Sequence, residues 1–175
     1  MYRFQRGSAK AFEELYNRYS HVLLRFSCRL LGSEPSAQDV LHDVFRKLVE
    51  RPEVFDTSRS FKSWVFTVTA NECKKVLRKA ALDPKSKESE PITEDQVAYL
   101  EPLDRVRFSN ALKNELQKMS FEHRTAFILR YQESLTISEI SKVLDCPEGT
   151  VKSRIFYATK QLADKLALFN PVKID

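Results

Sequence analysis

The side chains with chemistry to offer are cations, amides and aromatics at helical spacing. Beyond Pro147, Val151, Ile155, Ala158, Leu162 and Leu166 recur at about 100° per residue on one side of a helix. The opposite side holds Gly149, Ser153, Phe156, Tyr157 and Lys160, with Lys152 and Arg154 on its flanks. A merely solvated side would more often be Glu and Lys. A reader of the major groove needs hydrogen-bonding groups for base edges, an apolar group for thymine methyls and cations for phosphate, and this side carries all three. Gly149 and Thr150 fall at the helix start, where a glycine lets phosphate approach the free N–H groups and the helix dipole favours an anion.

A second set lies between residues 61 and 82. Ser63, Thr67, Asn71, Lys74 and Arg78 form a polar stripe, with Trp64 beside its upper end and Lys75 and Lys79 near its lower end. Cations that track a backbone, beside aromatic and amide groups that stack on or bond to exposed bases, suit single-stranded nucleic acid. The competing reading makes Trp64 a core filler below a solvated basic face. A third set, Asp39, His42, Asp43 and Arg46, mixes both charges on one helix face. That face suits a protein partner better than DNA, the alternative being plain solvation.

Enzymatic constellations do not emerge. His21, His42 and His123 are scattered, Cys28, Cys73 and Cys146 lack paired spacing, and no Gly-rich phosphate loop occurs. We therefore expect no catalytic residues, no metal site and no cofactor.

These sets need helices to hold them. Phe12, Leu15, Tyr16, Tyr19, Leu23, Phe26 and Leu30 predict a helix from Ser8 to Leu31, stopped by Gly32. A second, about Pro35 to Glu50, buries Ala37, Val40, Leu41, Val44, Phe45 and Leu48 and ends before Pro52. After a loop from Glu53 to Ser60, a third runs to about Leu82. Farther on, helices are expected from about Asp104 to Lys118 and from Ser120 to about Gln132. Thr136 and Glu139 then fit a capping box, opening a helix that stops near Asp145-Cys146, and Pro147 suits the first position of the next. The spacing is that of a helix-turn-helix.

No strand pattern or repeat is present, so the fold class is all-α. Residues 83–103 are acidic and contain three prolines, the composition of a flexible linker. They divide the chain into domains 1–82 and 104–175, the second ending in the helix-turn-helix. Residues 1–82 carry 15 Lys+Arg against 9 Asp+Glu, and 104–175 carry 12 against 9. Two basic bodies suit a polyanion, because each cation meeting a phosphate releases counterions. No apolar run nears the ~18 residues of a membrane span, and no signal pattern appears. Membrane insertion is not expected, and the cytoplasm is the expected compartment.

In order and spacing, three blocks resemble the extracytoplasmic-function group of the sigma-70 family of bacterial sigma factors. They are Ala11-Phe12 with Leu15-Tyr16 and Tyr19; Asp39-Val40-Leu41-His42-Asp43-Val44-Phe45 with Phe61, Trp64 and Asn71; and Glu139-Ile140 with Pro147 to Arg154. The resemblance runs from about Gly7 to Leu166. It implies an alternative sigma factor whose first domain, region 2, binds the polymerase clamp and captures the minus-ten element. Its second, region 4, binds the flap and reads the minus-thirty-five element.

By resemblance, Asp39, His42, Asp43 and Arg46 meet the clamp. Arg59 and the loop 56–60, with Ser63, Trp64, Thr67, Asn71, Lys74 and Arg78, meet minus-ten DNA. Gly149, Thr150, Lys152, Ser153, Arg154, Phe156, Tyr157 and Lys160 meet minus-thirty-five DNA. Core RNA polymerase, promoter DNA and an anti-sigma factor are the implied partners. His42-Asp43 stands where Gln-Glu is usual, and Lys75 where Asp is frequent. A stand-alone helix-turn-helix regulator is the alternative, and it accounts only for the C-terminal half.

Overall fold

Ser8, Ser33, Ser120 and Thr136 each start a helix by accepting a first-turn N–H through the side-chain oxygen, from Ala11, Ser36, His123 and Glu139. Such caps stabilise a helix by about 0.5–2 kcal/mol each. At Thr136 the capping box is complete, since Glu139 also accepts the Thr136 N–H at 2.8 Å. The computed structural model describes residues 1–57, 60–82 and 103–169, and these contain helices and no strand.

The helices are α1 (Tyr2–Gln5), α2 (Ala9–Leu31), α3 (Glu34–Glu50), α4 (Phe61–Leu82), α5 (Leu103–Lys118), α6 (Phe121–Tyr131), α7 (Ile137–Leu144) and α8 (Glu148–Lys165). Short 3-10 turns occupy Pro52–Val54 and Ala167–Phe169. The expected helices are all present. The sequence pattern gave no sign of α1, which is one turn long. Its Gln5 amide donates to the carbonyls of Pro52 and Phe55 at 2.7 and 2.8 Å, tying down the start of the loop before α4. Pro147 differs by one place from expectation. Its ψ of 148° is extended, so helical geometry begins at Glu148 and the proline caps the helix from outside.

In the first half α2, α3 and α4 pack on one another. Leu23, Phe26 and Leu30 are buried in one cluster with Val40, Val44 and Leu48, and Phe66 meets Phe26 edge to face at 5.1 Å. Each large side chain so buried contributes roughly 1.5–3 kcal/mol. In the second half, Ala126 and Leu129 of α6, Ile140 and Val143 of α7, and Val151 and Ile155 of α8 are buried. All of these belong to one apolar cluster with the core of the first half. A smaller cluster joins Leu116 and Met119 to Ala158, Leu162 and Leu166.

The two halves therefore do more than share a tether. Residues 83–102, nearly all of the expected linker, lie outside the described residues. The described parts of both halves pack directly, α7 along α4 and both α5 and α6 against α2. Gly32 ends α2 in the left-handed region at φ 71°, and a Cβ there would sit 3.2 Å from the Gln117 side chain. Gln117 donates to the Arg29 carbonyl at 2.7 Å and accepts from the buried Arg124 guanidinium. Arg29 pairs with Glu133 at 3.2 Å, and Lys74 with Glu122 at 2.8 Å.

Candidate nucleic-acid interface

The turn between α7 and α8 sets the presentation of α8. Asp145 closes α7 in the left-handed region at φ 47°, which a short polar side chain tolerates better than most. The Ser141 hydroxyl donates to the Cys146 carbonyl at 2.6 Å and holds the turn. With Val151, Ile155, Ala158 and Leu162 buried, the other side of α8 is left to solvent as the pattern predicts. Phe156 is 62% exposed and Tyr157 56%, and Lys152, Ser153 and Lys160 are exposed beside them.

Arg154 is half-buried, and its guanidinium donates to the Cys146 sulfur at 3.4 Å. Thr150 is half-buried and accepts through its carbonyl from the Ser153 hydroxyl at 2.9 Å. A Cβ at Gly149 would meet nothing within 4 Å, so the backbone there is open to approach. Glu148 in the same turn opposes an anion at that end.

On α4 the polar stripe is only partly accessible, because α2, α3 and α7 all pack against that helix. Ser63, expected to open the stripe, is buried at 8% exposure. Thr67 is half-buried and donates its hydroxyl to the Ser63 carbonyl at 2.9 Å. Asn71, Lys74 and Arg78 are exposed. Trp64 is half-buried in an aromatic cluster, 5.4 Å from Phe55 and 5.6 Å from Phe61, so it serves the packing of the loop. Lys75 joins Lys47 on Glu72, at 2.9 and 2.7 Å. Burial works against that carboxylate, but the two lysines outweigh it and hold its pKa below the usual range. Arg59 lies outside the described residues.

Asp39, His42 and Arg46 are exposed on α3 and Asp43 half-exposed, as expected. Arg46 bridges Asp43 at 2.7 Å and Glu50 at 3.4 Å. The face therefore presents a preformed row of alternating charge.

Sequence reasoning did not find the residues joining the two halves. The hydrogen bond from Lys74 leads in holding the Glu122 carboxyl below its usual pKa, against some burial, and Arg154 adds to it. Burial pushes the Glu133 carboxyl up, opposed by Arg29, Arg25 and Lys62. The signs differ. The Glu122 pair favours packing above the ordinary glutamate range and fades as pH falls through its depressed pKa. Glu133 favours packing when protonated, and that contribution fades as pH rises through its raised pKa. No spacing rule links residues 29 and 133, which is why these contacts leave no sequence signal.

Among the described residues no helix is long and apolar enough to cross a membrane. Residues 15–82 match the Sigma-70 region 2 family and residues 109–162 the Sigma-70, region 4 family. The chain is 32% identical to the ECF RNA polymerase sigma factor SigL of Mycobacterium tuberculosis, over 89% of each chain. It is 26% identical to the ECF RNA polymerase sigma factor SigW of Bacillus subtilis, over 93% of this chain and 92% of that one. Among solved structures it is similar to the sigma factor RpoE in complex with the anti-sigma factor NepR from Bartonella quintana. The TM-score is 0.75 at 24% identity, covering 91% of this chain and 99% of that one.

Proposed function

The chain belongs to the extracytoplasmic-function family of RNA polymerase sigma factors, and from that premise we propose how its surfaces are divided between polymerase and promoter. The observation that carries the division is the exposed side of α8, where Lys152, Ser153, Phe156 and Tyr157 stand opposite a buried stripe at the end of a helix-turn-helix. This is the minus-thirty-five reader: lysines for phosphate, Ser153 and Phe156 for base edges and thymine methyls. Thr150, Arg154, Lys160 and the open backbone at Gly149 complete it. The protein supplies binding energy to the melted promoter and does no bond chemistry itself. Its compartment is the cytoplasm, where polymerase works, and an anti-sigma factor is its third partner.

Asn71, Lys74 and Arg78 are the accessible minus-ten residues, with the half-buried Thr67 and Trp64 farther up α4; Arg59 joins them by family resemblance alone, and the buried Ser63 supports the helix beneath. Asn71→Ala is expected to reduce promoter opening by up to about tenfold, the worth of one hydrogen bond of about 0.5–1.5 kcal/mol, while polymerase binding is unchanged. Permanganate reactivity of unpaired thymines reads this. Equal reactivity in the variant and the wild type removes Asn71 from the minus-ten site.

The row Asp39, His42, Asp43 and Arg46 is the clamp-binding face. Arg46→Glu is expected to weaken capture of core polymerase about tenfold, through like-charge repulsion across a complementary interface, without altering the circular dichroism spectrum. Wild-type capture would exclude this face. The same pull-down separates a sigma factor from a stand-alone regulator, which binds DNA without polymerase.

The packed arrangement has to open for this work. Minus-ten and minus-thirty-five elements lie about 25 base pairs apart, or about 85 Å at ~3.4 Å per base pair. A packed chain of 175 residues has a radius of gyration on the order of 16 Å. Closed, it reaches one element at a time. Lys74, a minus-ten cation, is then held by Glu122 of the other half.

A further inference from the structure

The first turn of α6 stands beside α8, where the His123 imidazole stacks on the outward-facing Tyr157 ring with centroids 6.2 Å apart and planes inclined by 28°. Phe156 touches the same tyrosine edge on, at 5.5 Å and 74°.

The main chain beneath His123 is anchored: its backbone N–H donates to the Ser120 hydroxyl at 3.3 Å, and just beyond it Thr125, Ala126 and Leu129 are fully buried in a helix that packs along α8. Tyr157, by contrast, is more than half exposed. A surface tyrosine samples several rotamers and loses that freedom when its hydroxyl engages a ligand. A ring already stacked on such a neighbour has lost part of it beforehand.

We propose that His123 is a positioning residue for promoter recognition: its imidazole backs the Tyr157 ring and so sets where the tyrosine hydroxyl meets minus-thirty-five DNA. The proposal rests on the reading of α8 as the minus-thirty-five helix. Part of the sequence preference then comes from a residue on a different helix. The supporting property is the flat ring, not the imidazole nitrogens, so phenylalanine at position 123 preserves the effect and alanine removes it.

The test uses holoenzyme assembled from core polymerase and the full chain, titrated against promoter fragments randomised across the minus-thirty-five element. The chains compared are wild type, His123→Ala, His123→Phe, Tyr157→Ala and the double alanine variant. His123→Ala is expected to lose about two- to tenfold of the discrimination among fragments. That is the range to which ring pairing of about 0.5–1.5 kcal/mol converts at ~1.4 kcal/mol per tenfold. His123→Phe should restore the ranking, and the double variant should be no worse than Tyr157→Ala alone. A wild-type ranking in His123→Ala overturns the proposal while leaving the α8 reading intact, provided Tyr157→Ala does alter the ranking. An unaltered ranking in Tyr157→Ala overturns the role of Tyr157 in reading, and the proposal with it. If His123→Phe is as poor as His123→Ala and the salt slope falls by about one unit, His123 contacts phosphate itself, and the positioning role is overturned.

Discussion

Glu133→Lys is expected to drive the two halves of the free protein apart. The Glu133 side chain is 5% exposed and meets Arg29 across the joint, with Arg25 and Lys62 also acting on it. A lysine there puts an unpaired cation into the joint among three others. An uncompensated charge left buried costs about 3–5 kcal/mol, and because Arg29 keeps 34% of its side chain in water the lower end applies. About 3 kcal/mol is on the order of a hundredfold in the closed-to-open ratio. Small-angle X-ray scattering should show the radius of gyration rising well above the ~16 Å of a packed chain of this length.

Apparent affinity for core polymerase should rise with it, because a binding-competent form that is scarce reduces affinity by its own fraction. Glu133→Gln should behave oppositely, since it removes a charge that burial disfavours and keeps the halves packed. If Glu133→Lys scatters like the wild type, the joint at position 133 tolerates a cation and does not hold the halves together.

What the sequence made legible is local. The Thr136–Glu139 box, the Gly32 stop and the buried stripe of α8 are set by residues within a turn or two of one another, and each is where the pattern predicts. The polar stripe of α4 was harder. Helical spacing places Ser63 and Thr67 in line with Asn71, but it does not show that the upper end of that line is covered, and there Ser63 is buried and Thr67 half-buried. Trp64 shows the same limit: spacing puts an aromatic beside a basic stripe, but it does not show that Phe55 and Phe61 lie against that ring. The joint between the halves was out of reach altogether. Lys74 and Glu122 are 48 residues apart, and Arg29 and Glu133 104 apart. His123 looked like one of three scattered histidines because the ring it supports belongs to another helix.

Phe156 and Lys152 are both exposed on α8, yet their replacement should leave different signatures. A cation that meets phosphate carries no sequence information, whereas a side chain against a base edge or a thymine methyl does. Lys152→Ala should weaken holoenzyme binding to all promoters about equally and lower the salt slope by about one unit, the contribution of one phosphate contact. Lys160→Ala should do the same. Phe156 has its ring 62% exposed although an apolar core lies on the other side of the helix. That exposure costs free energy in the unbound protein, which thymine methyls would offset on binding. Phe156→Ala should therefore lose about 1–3 kcal/mol of discrimination at one or two base positions, roughly fivefold to a hundredfold, with an unchanged salt slope. Ser153→Ala should shift preference at a neighbouring position. Titrations across a minus-thirty-five variant series at several salt concentrations separate the two classes. If Phe156→Ala weakens every promoter alike and leaves their order untouched, the exposed ring is not reading bases.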